Sequence, residues 1–67
     1  MKHEINELNL TVKTYNVLKR AGISCLEELC DKTPYEVKRI RNLGNKSYRE
    51  IVNEMEDLGL KFKEETL

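Results

Sequence analysis

The stretch Ile40-Arg41-Asn42-Leu43-Gly44-Asn45-Lys46-Ser47, continuing into Tyr48-Arg49-Glu50-Ile51, decides how the chain folds. It reads as one helix ending, a tight turn, and a second helix opening. Asn42 and Gly44 are the residue types that adopt left-handed backbone angles most cheaply, so both are placed to bend the chain. Leu43 between them is apolar, a plug that pins the turn to the core. The first turn of the following helix presents backbone N–H groups without intrahelical partners, beside Lys46 and the Ser47 hydroxyl. A helix start of that kind is a seat for a phosphate group. Ser47 also opens a Ser-x-x-Glu capping box with Glu50, which needs no ligand to explain it. The phosphate seat and the plain cap both fit these residues.

Downstream of the turn lies the strongest periodicity in the chain. Tyr48, Ile51, Val52, Met55 and Leu58 fall on one apolar stripe, predicting a helix from about 46 to 58. Gly59 stops it, with Leu60 placed for the apolar contact of a Schellman cap and Phe62 packing back. Upstream, Thr33-Pro34-Tyr35-Glu36 is a capping box with proline at the first helical position, opening a short helix over about 34–40 that buries Val37 and Ile40. Ser24-Cys25-Leu26-Glu27 is another box, opening a helix over about 25–31. Thr11 is a good N-cap for a helix over about 11–21 carrying Val12, Tyr15 and Leu18, and Gly22 supplies its left-handed end. Residues 1–9 read as an extended lead-in folded onto the domain through Ile5 and Leu8, residues 10–62 as the domain, and residues 63–67 as a frayed tail. Met1 fits a natural start or a boundary within a longer protein equally well. No stretch alternates with period two. The fold class is therefore all-α, a compact four-helix domain with helix-hairpin-helix-like turns, the grip by which such modules hold a nucleic-acid backbone.

A chain of 67 residues builds one domain with a marginal core. Twelve basic and twelve acidic residues cancel, which argues against nucleic acid until their distribution is considered. Thr11 to Leu26 holds Lys13, Lys19 and Arg20 without an acid, and Lys38 to Arg49 holds Lys38, Arg39, Arg41, Lys46 and Arg49 without one. Acids gather instead in Glu27–Glu36 and Glu50–Asp57. A basic face for DNA and an acidic face for protein fit this pattern, as does a mixed solvated surface. Lys19 and Arg20 offset the dipole at the end of the first helix, whereas Lys13 in its first turn opposes the dipole and invites a functional reading.

Several chemistries are excluded. Cys25 and Cys30 with the single His3 are too few for a zinc site, and a lone pair of cysteines is no disulfide framework. Cys30 reads as a small core residue beside Leu26 and Leu29, and Cys25 as partly exposed. One histidine in a frayed N-terminus builds no catalytic triad, and Gly44-Asn45-Lys46-Ser47 lacks the upstream glycine and preceding strand of a P-loop. No apolar run reaches membrane-spanning length and no signal peptide opens the chain, which fits the cytoplasm. No cofactor, metal, membrane or small-molecule substrate is expected.

Two separated motifs in fixed order, Leu10-Thr11-Val12-Lys13-Thr14-Tyr15-Asn16-Val17-Leu18-Lys19-Arg20-Ala21-Gly22-Ile23 and Asn42-Leu43-Gly44-Asn45-Lys46-Ser47-x-x-Glu50-Ile51, resemble the C-terminal domain of the bacterial RNA polymerase alpha subunit. The likeness runs from about Ile5 to Phe62. It implies a non-catalytic domain tethered by a flexible linker to an N-terminal domain that assembles with the other polymerase subunits. Such a domain binds the minor groove of A·T-rich upstream promoter DNA and contacts sigma factor and transcription regulators. The resemblance implies a DNA surface of Asn16, Asn42, Gly44, Lys46, Ser47 and Glu50, with Glu50 orienting its neighbours rather than touching DNA. Lys13 stands where the family usually places an arginine that enters the groove, which implies weaker binding because lysine lacks the planar fork. Asn45 replaces a frequent basic residue and Val17 a frequent cysteine.

For protein contacts the candidates are Glu7, Tyr15, Lys19, Thr33, Tyr35 and Glu36. Glu7 matches part of an acidic spot for sigma, with Asn9 in place of a second acid. Tyr15 fits both an inward position and an exposed anchor for a regulator. Thr33 to Val37 lies where the family meets some activators. Two other readings remain for the sequence: a helix-hairpin-helix DNA-binding domain of a repair protein or nuclease, and a helical protein-interaction domain that never meets nucleic acid.

Overall fold

A computed structural model describes residues 3–64. Within them lie a 3-10 turn at Ile5–Glu7 and four helices: α1 (Val12–Arg20), α2 (Leu26–Cys30), α3 (Pro34–Lys38) and α4 (Asn45–Asp57). Among the described residues there is no strand; Glu4 and Cys25 form an isolated antiparallel bridge. The all-α architecture and the order of helices are those expected from the sequence. The short α3 ends before Ile40, which is half-buried beyond the helix.

Both long helices stop in the same way. After α1, Gly22 takes a φ of +83°, and Gly22 N–H and Ile23 N–H donate back to Lys19 and Leu18. After α4, Gly59 takes +74°, and Gly59 N–H and Leu60 N–H donate to Glu56 and Met55. These are paired Schellman bonds, satisfying carbonyls that the helix leaves open. Ile23 thereby returns the chain to the core beside Leu18.

Ile5, Leu8, Leu18, Ile23, Leu26, Leu29, Val37, Ile51 and Met55 form the buried centre. Every helix and the lead-in contribute to it, so no element is stable alone. Leu43 packs half-buried against this cluster, the plug expected in the turn. Phe62 stacks on Tyr48 with ring centroids 6.0 Å apart.

Several sequence expectations give way. Val12 is 76% exposed, and α1 buries Thr14, Val17 and Leu18 instead. A strict three-residue spacing drifts by about 60° per step on a 3.6-residue helix, so Val12 and Leu18 do not share a face. Leu58 is 50% exposed because α4 ends one residue before it and its side chain leaves the stripe. Cys25 is the buried cysteine and Cys30 the half-buried one, the reverse of the expectation. Burial and the nearby Glu27 raise the Cys30 thiol above its ordinary pKa.

The start of α2 is also organised differently. Cys25, not Ser24, is the N-cap, and Glu28, not Glu27, closes the box. Glu28 accepts from Ser24 N–H (3.0 Å) and Cys25 N–H (3.2 Å), and bonds from the Ser24 backbone and the Cys25 and Ser24 side chains hold its carboxyl down to about 2. That frees Glu27 for His3, whose backbone N–H and Nδ1 lie 2.9 and 2.8 Å from it. His3 is therefore pinned, not frayed, and Leu26 N–H donates to its carbonyl at 2.6 Å. At the other end Lys63 N–H donates to Lys32 (3.0 Å), so the chain is still attached where a loose tail was expected. Residues 1 and 2 of the lead-in and residues 65–67 of that tail lie outside the described residues.

Candidate nucleic-acid interface

The turn after α3 closes with Leu43 N–H donating to Ile40 (3.1 Å). Asn42 at φ +69° is the left-handed residue of this turn. Gly44 is not: its φ is −83°, and it is the N-cap of α4. A Cβ built on Gly44 would meet nothing within 4 Å. The fold itself therefore makes no demand for glycine there, beyond a modest N-cap preference. With no side chain on Gly44, the first amides of α4 face outward uncovered by their own cap.

Ser47 is not the cap. It occupies the third position of α4, is 8% exposed, and lies 3.1 Å from the hydroxyl of Thr14. Thr14 is fully buried and donates to the Glu50 carboxylate at 2.8 Å. Glu50 also accepts from Thr11 N–H and stands 3.1 Å from the Thr11 hydroxyl. The Thr11 oxygen in turn caps α1 by accepting from Thr14 N–H (3.4 Å). One cluster of two threonines, a serine and a glutamate thus fastens the N-terminal end of α1 to that of α4. Burial works to raise the Glu50 pKa, but the bonds from Thr11 and Thr14 and the charge of Lys46 outweigh it and hold it below the ordinary value.

Consequences for the expected site residues follow. Lys13 and Lys46 are the exposed neighbours of Thr14 and Ser47, so the two cations flank one joined helix start. Lys13 and Asn16 border a shallow groove whose other wall is Asn42. Ser47 is turned inward, so its hydroxyl is used by Thr14. Glu50 spends its carboxylate on Thr11 and Thr14 of the first helix start. One turn further along α4, Glu54 accepts from Asn9 N–H at 3.1 Å, so two carboxylates four residues apart on one helix face take up the amides of Asn9 and Thr11.

The protein-contact candidates lie elsewhere. Thr33 and Glu36 satisfy each other as a capping box, with Thr33 N–H donating to Glu36 (2.9 Å) and Glu36 N–H to Thr33 (3.2 Å). Tyr35 is 57% exposed, and Arg39 donates to its hydroxyl at 2.7 Å. Tyr15 is half-buried against the core, with Lys19 Nζ 5.9 Å from its ring centroid. Glu7 lines a groove with His3, Leu26, Glu27 and Cys30, away from the helix-start cluster. Sequence reading gave Thr11 only as the N-cap of α1, which it is, and missed Thr14 and Glu54. The signal was present in Thr14, a polar residue in helical phase with buried Val17 and Leu18, which demands a buried partner.

These features define a small all-α domain in which a helix-hairpin-helix-like turn carries cations beside two joined helix starts. Residues 1–57 match the family defined by the C-terminal domain of the bacterial RNA polymerase alpha chain. DNA-directed RNA polymerase subunit alpha of Malacoplasma penetrans is 54% identical over 61 residues, covering 91% of this chain and 18% of that protein. The same subunit of Mycoplasma genitalium is 52% identical over 60 residues (90% and 18%), and that of Oenococcus oeni 48% over 65 residues (97% and 21%). The chain belongs to this family, the C-terminal domains of bacterial RNA polymerase alpha subunits. It spans about a fifth of the length of the curated relatives it matches.

Proposed function

We propose that this chain is a non-catalytic, cytoplasmic transcription domain that binds the minor groove of A·T-rich upstream promoter DNA. Linked to the rest of an alpha subunit, it brings the other polymerase subunits to that DNA and docks sigma factor or regulators on its remaining surface. The observation that carries the reading is the Thr11–Thr14–Ser47–Glu50 cluster, because it holds two cationic helix starts as one rigid ledge. Preorganised cations and amides lose little freedom on meeting phosphates. Lys13 and Asn16 reach into the groove from α1, Asn42 from the turn, and Gly44, Lys46 and the first amides of α4 take backbone phosphate. The open space around Gly44 supports a close approach from outside. Glu50 and Ser47 contribute by holding the ledge. Glu7, Tyr15, Lys19, Thr33, Tyr35 and Glu36 remain the surfaces for protein partners, Tyr35 being the most exposed aromatic among the described residues.

A salt titration on an A·T-rich duplex tests the reading. Each phosphate contact contributes a slope of about 0.9 in log affinity against log salt, so a ledge with several contacts gives a clearly negative slope. A slope near zero leaves only the protein-interaction alternative. Equal binding to A·T-rich and G·C-rich duplexes points to a general helix-hairpin-helix binder. Lys13→Arg is expected to tighten A·T-rich binding, since narrow minor grooves favour the guanidinium; unchanged affinity would show that residue 13 stays outside the groove.

A further inference from the structure

The groove bordered by Lys13 and Asn16 continues past them. It follows α1 along Val17 to Arg20, with Asn42 still on the opposite wall, and ends between Ala21 on one side and Ile40 and Arg41 on the other. Its floor is the buried Val17. Among the described residues no carboxylate lines either part, and none occurs in sequence from Thr11 to Leu26 or from Val37 to Arg49.

The basic side chains of these segments divide into two kinds. Lys19, Lys38 and Arg39 lie over the rings of Tyr15, Tyr48 and Tyr35, at 5.9, 5.1 and 5.3 Å from the centroids. Lys13, Arg20, Arg41, Lys46 and Arg49 have no such ring and, among the described residues, no ion pair; the one ion pair there joins His3 to Glu27. Of these five, Arg20 and Arg41 line the far part of the groove. Arg20, in the last turn of α1, at least offsets a helix dipole. Arg41 lies outside every helix and has no such role. Two guanidinium-bearing residues on facing walls over an apolar floor repel each other unless an anion sits between them.

We propose that Arg20 and Arg41 form a second phosphate clamp, which takes a backbone phosphate of the same duplex that the ledge engages. The proposal rests on the promoter-DNA reading and extends it along α1. Lys13 and Arg20 are separated by roughly 10 Å of helix, about three base-pair rises at 3.4 Å each. The clamp therefore meets the backbone some three steps from the groove contact of Lys13. The planar guanidinium fork suits phosphate oxygens. Phosphate carries no base identity, so the clamp adds affinity and fixes register without adding sequence preference.

The experiment measures binding of Arg20→Gln, Arg41→Gln and the double variant to A·T-rich and G·C-rich duplexes across a salt series. Each single substitution is expected to flatten the log–log slope by about 0.9 and the double by about 1.8. Over a fourfold rise in salt the double variant then loses affinity about twelve-fold less than the parent chain. The affinity ratio between the two duplexes stays unchanged. Arg20→Lys keeps the charge and should keep the slope. If removing Arg20 loosens α1, as thermal unfolding would show, Arg41→Gln alone still decides the matter, because Arg41 belongs to no helix. A parental slope in the double variant, with a flattened slope in Lys46→Gln, overturns the clamp while leaving the promoter reading intact. It would assign these cations to an acidic protein surface. A flat slope in the parent chain removes both.

Discussion

Two regions of this domain use a glutamate to seize a backbone amide from a remote segment, and they do so with different chemistry. At the ledge, Glu50 of α4 takes the Thr11 amide, and its other partners are hydroxyls that do not titrate. At the lead-in, Glu27 of α2 takes the His3 amide, and its other partner is the His3 imidazole 2.8 Å away. The ledge cluster includes two buried side chains, Thr14 and Ser47, whereas the His3–Glu27 pair stands in solvent, with side chains 57% and 47% exposed. One device thus yields a joint whose strength is constant near neutrality, and another whose strength follows pH. The constant joint is the one beneath the cationic surface, where a shifting helix start would alter every phosphate contact at once.

The largest expected effect is therefore at Glu50. Glu50→Ala removes the acceptor for one amide and two hydroxyls and leaves the buried Thr14 hydroxyl with only those of Ser47 and Thr11. Hydrogen bonds to a charged, partly buried acceptor suggest a loss of about 2 kcal/mol by denaturant unfolding. Glu50→Gln keeps one acceptor oxygen and should lose about half as much. Both should weaken duplex binding although a negative charge near phosphates has been removed. Tighter binding in either variant would mean that Glu50 acts by repulsion and that the joint is not what positions the cations. Because the Glu50 pKa is depressed, its contribution is present above the ordinary value of 4.5 and fades as pH falls through the folded value. Near neutrality it should be flat.

How much of this was legible follows from the range of each interaction. Elements held by neighbours in sequence could be read directly: the Thr33–Glu36 box, the glycine stops at Gly22 and Gly59, and the Ile51–Met55 face of α4 all depend on spacing alone. Interactions across the fold could not. Ser47 and Glu50 carry a perfect capping spacing, yet Gly44 starts the helix one turn earlier and both side chains go to α1. Ser24 and Glu27 likewise look like a box, and the register slips by one so that Glu27 is released to His3. In each case two local solutions differ by little energy, and a contact from a distant segment chooses between them. Asn42 was legible as a turn former because its left-handed angle is a local matter. Gly44 was misjudged because the same residue type also serves as an N-cap.

Asn42 gives the second test, of intermediate size. In a left-handed position alanine costs about 1 kcal/mol relative to asparagine's tolerated geometry, and glycine costs little or nothing. Asn42→Ala should therefore destabilise by about that much, while Asn42→Gly stays near the parent chain. Both delete the side-chain amide on the groove wall, so both should weaken A·T-rich binding equally. Full binding by Asn42→Gly would show that the asparagine serves the turn alone, leaving the ledge with one contact fewer than proposed.

The smallest effect, and the one that most directly separates the two joints, lies at His3. Its imidazole pKa is raised above 6.5, first by the hydrogen bond to Glu27 and then by the charges of Glu7 and Glu27. The Glu27 carboxyl is held down to about 2 by the bonds from the His3 backbone and side chain. A raised imidazole contributes stability fully present below its unfolded value and lost as pH rises through the folded value. A depressed carboxyl contributes stability present above 4.5 and lost toward 2. Both contributions coexist between about 4.5 and 6.5, so the thermal midpoint of the parent chain should exceed that of His3→Ala most within that window. The gap should narrow on the alkaline side first. Since the pair is solvated, the shift is small and weakens with added salt. The protection of the Leu26 amide, which donates to the His3 carbonyl, taken relative to its intrinsic base-catalysed exchange, should fall over the same alkaline range as the lead-in loosens. A midpoint difference that is level across the whole range would mean that the imidazole contributes no charge. The lead-in would then be held by backbone bonds alone, and the contrast with Glu50 would reduce to a difference in exposure.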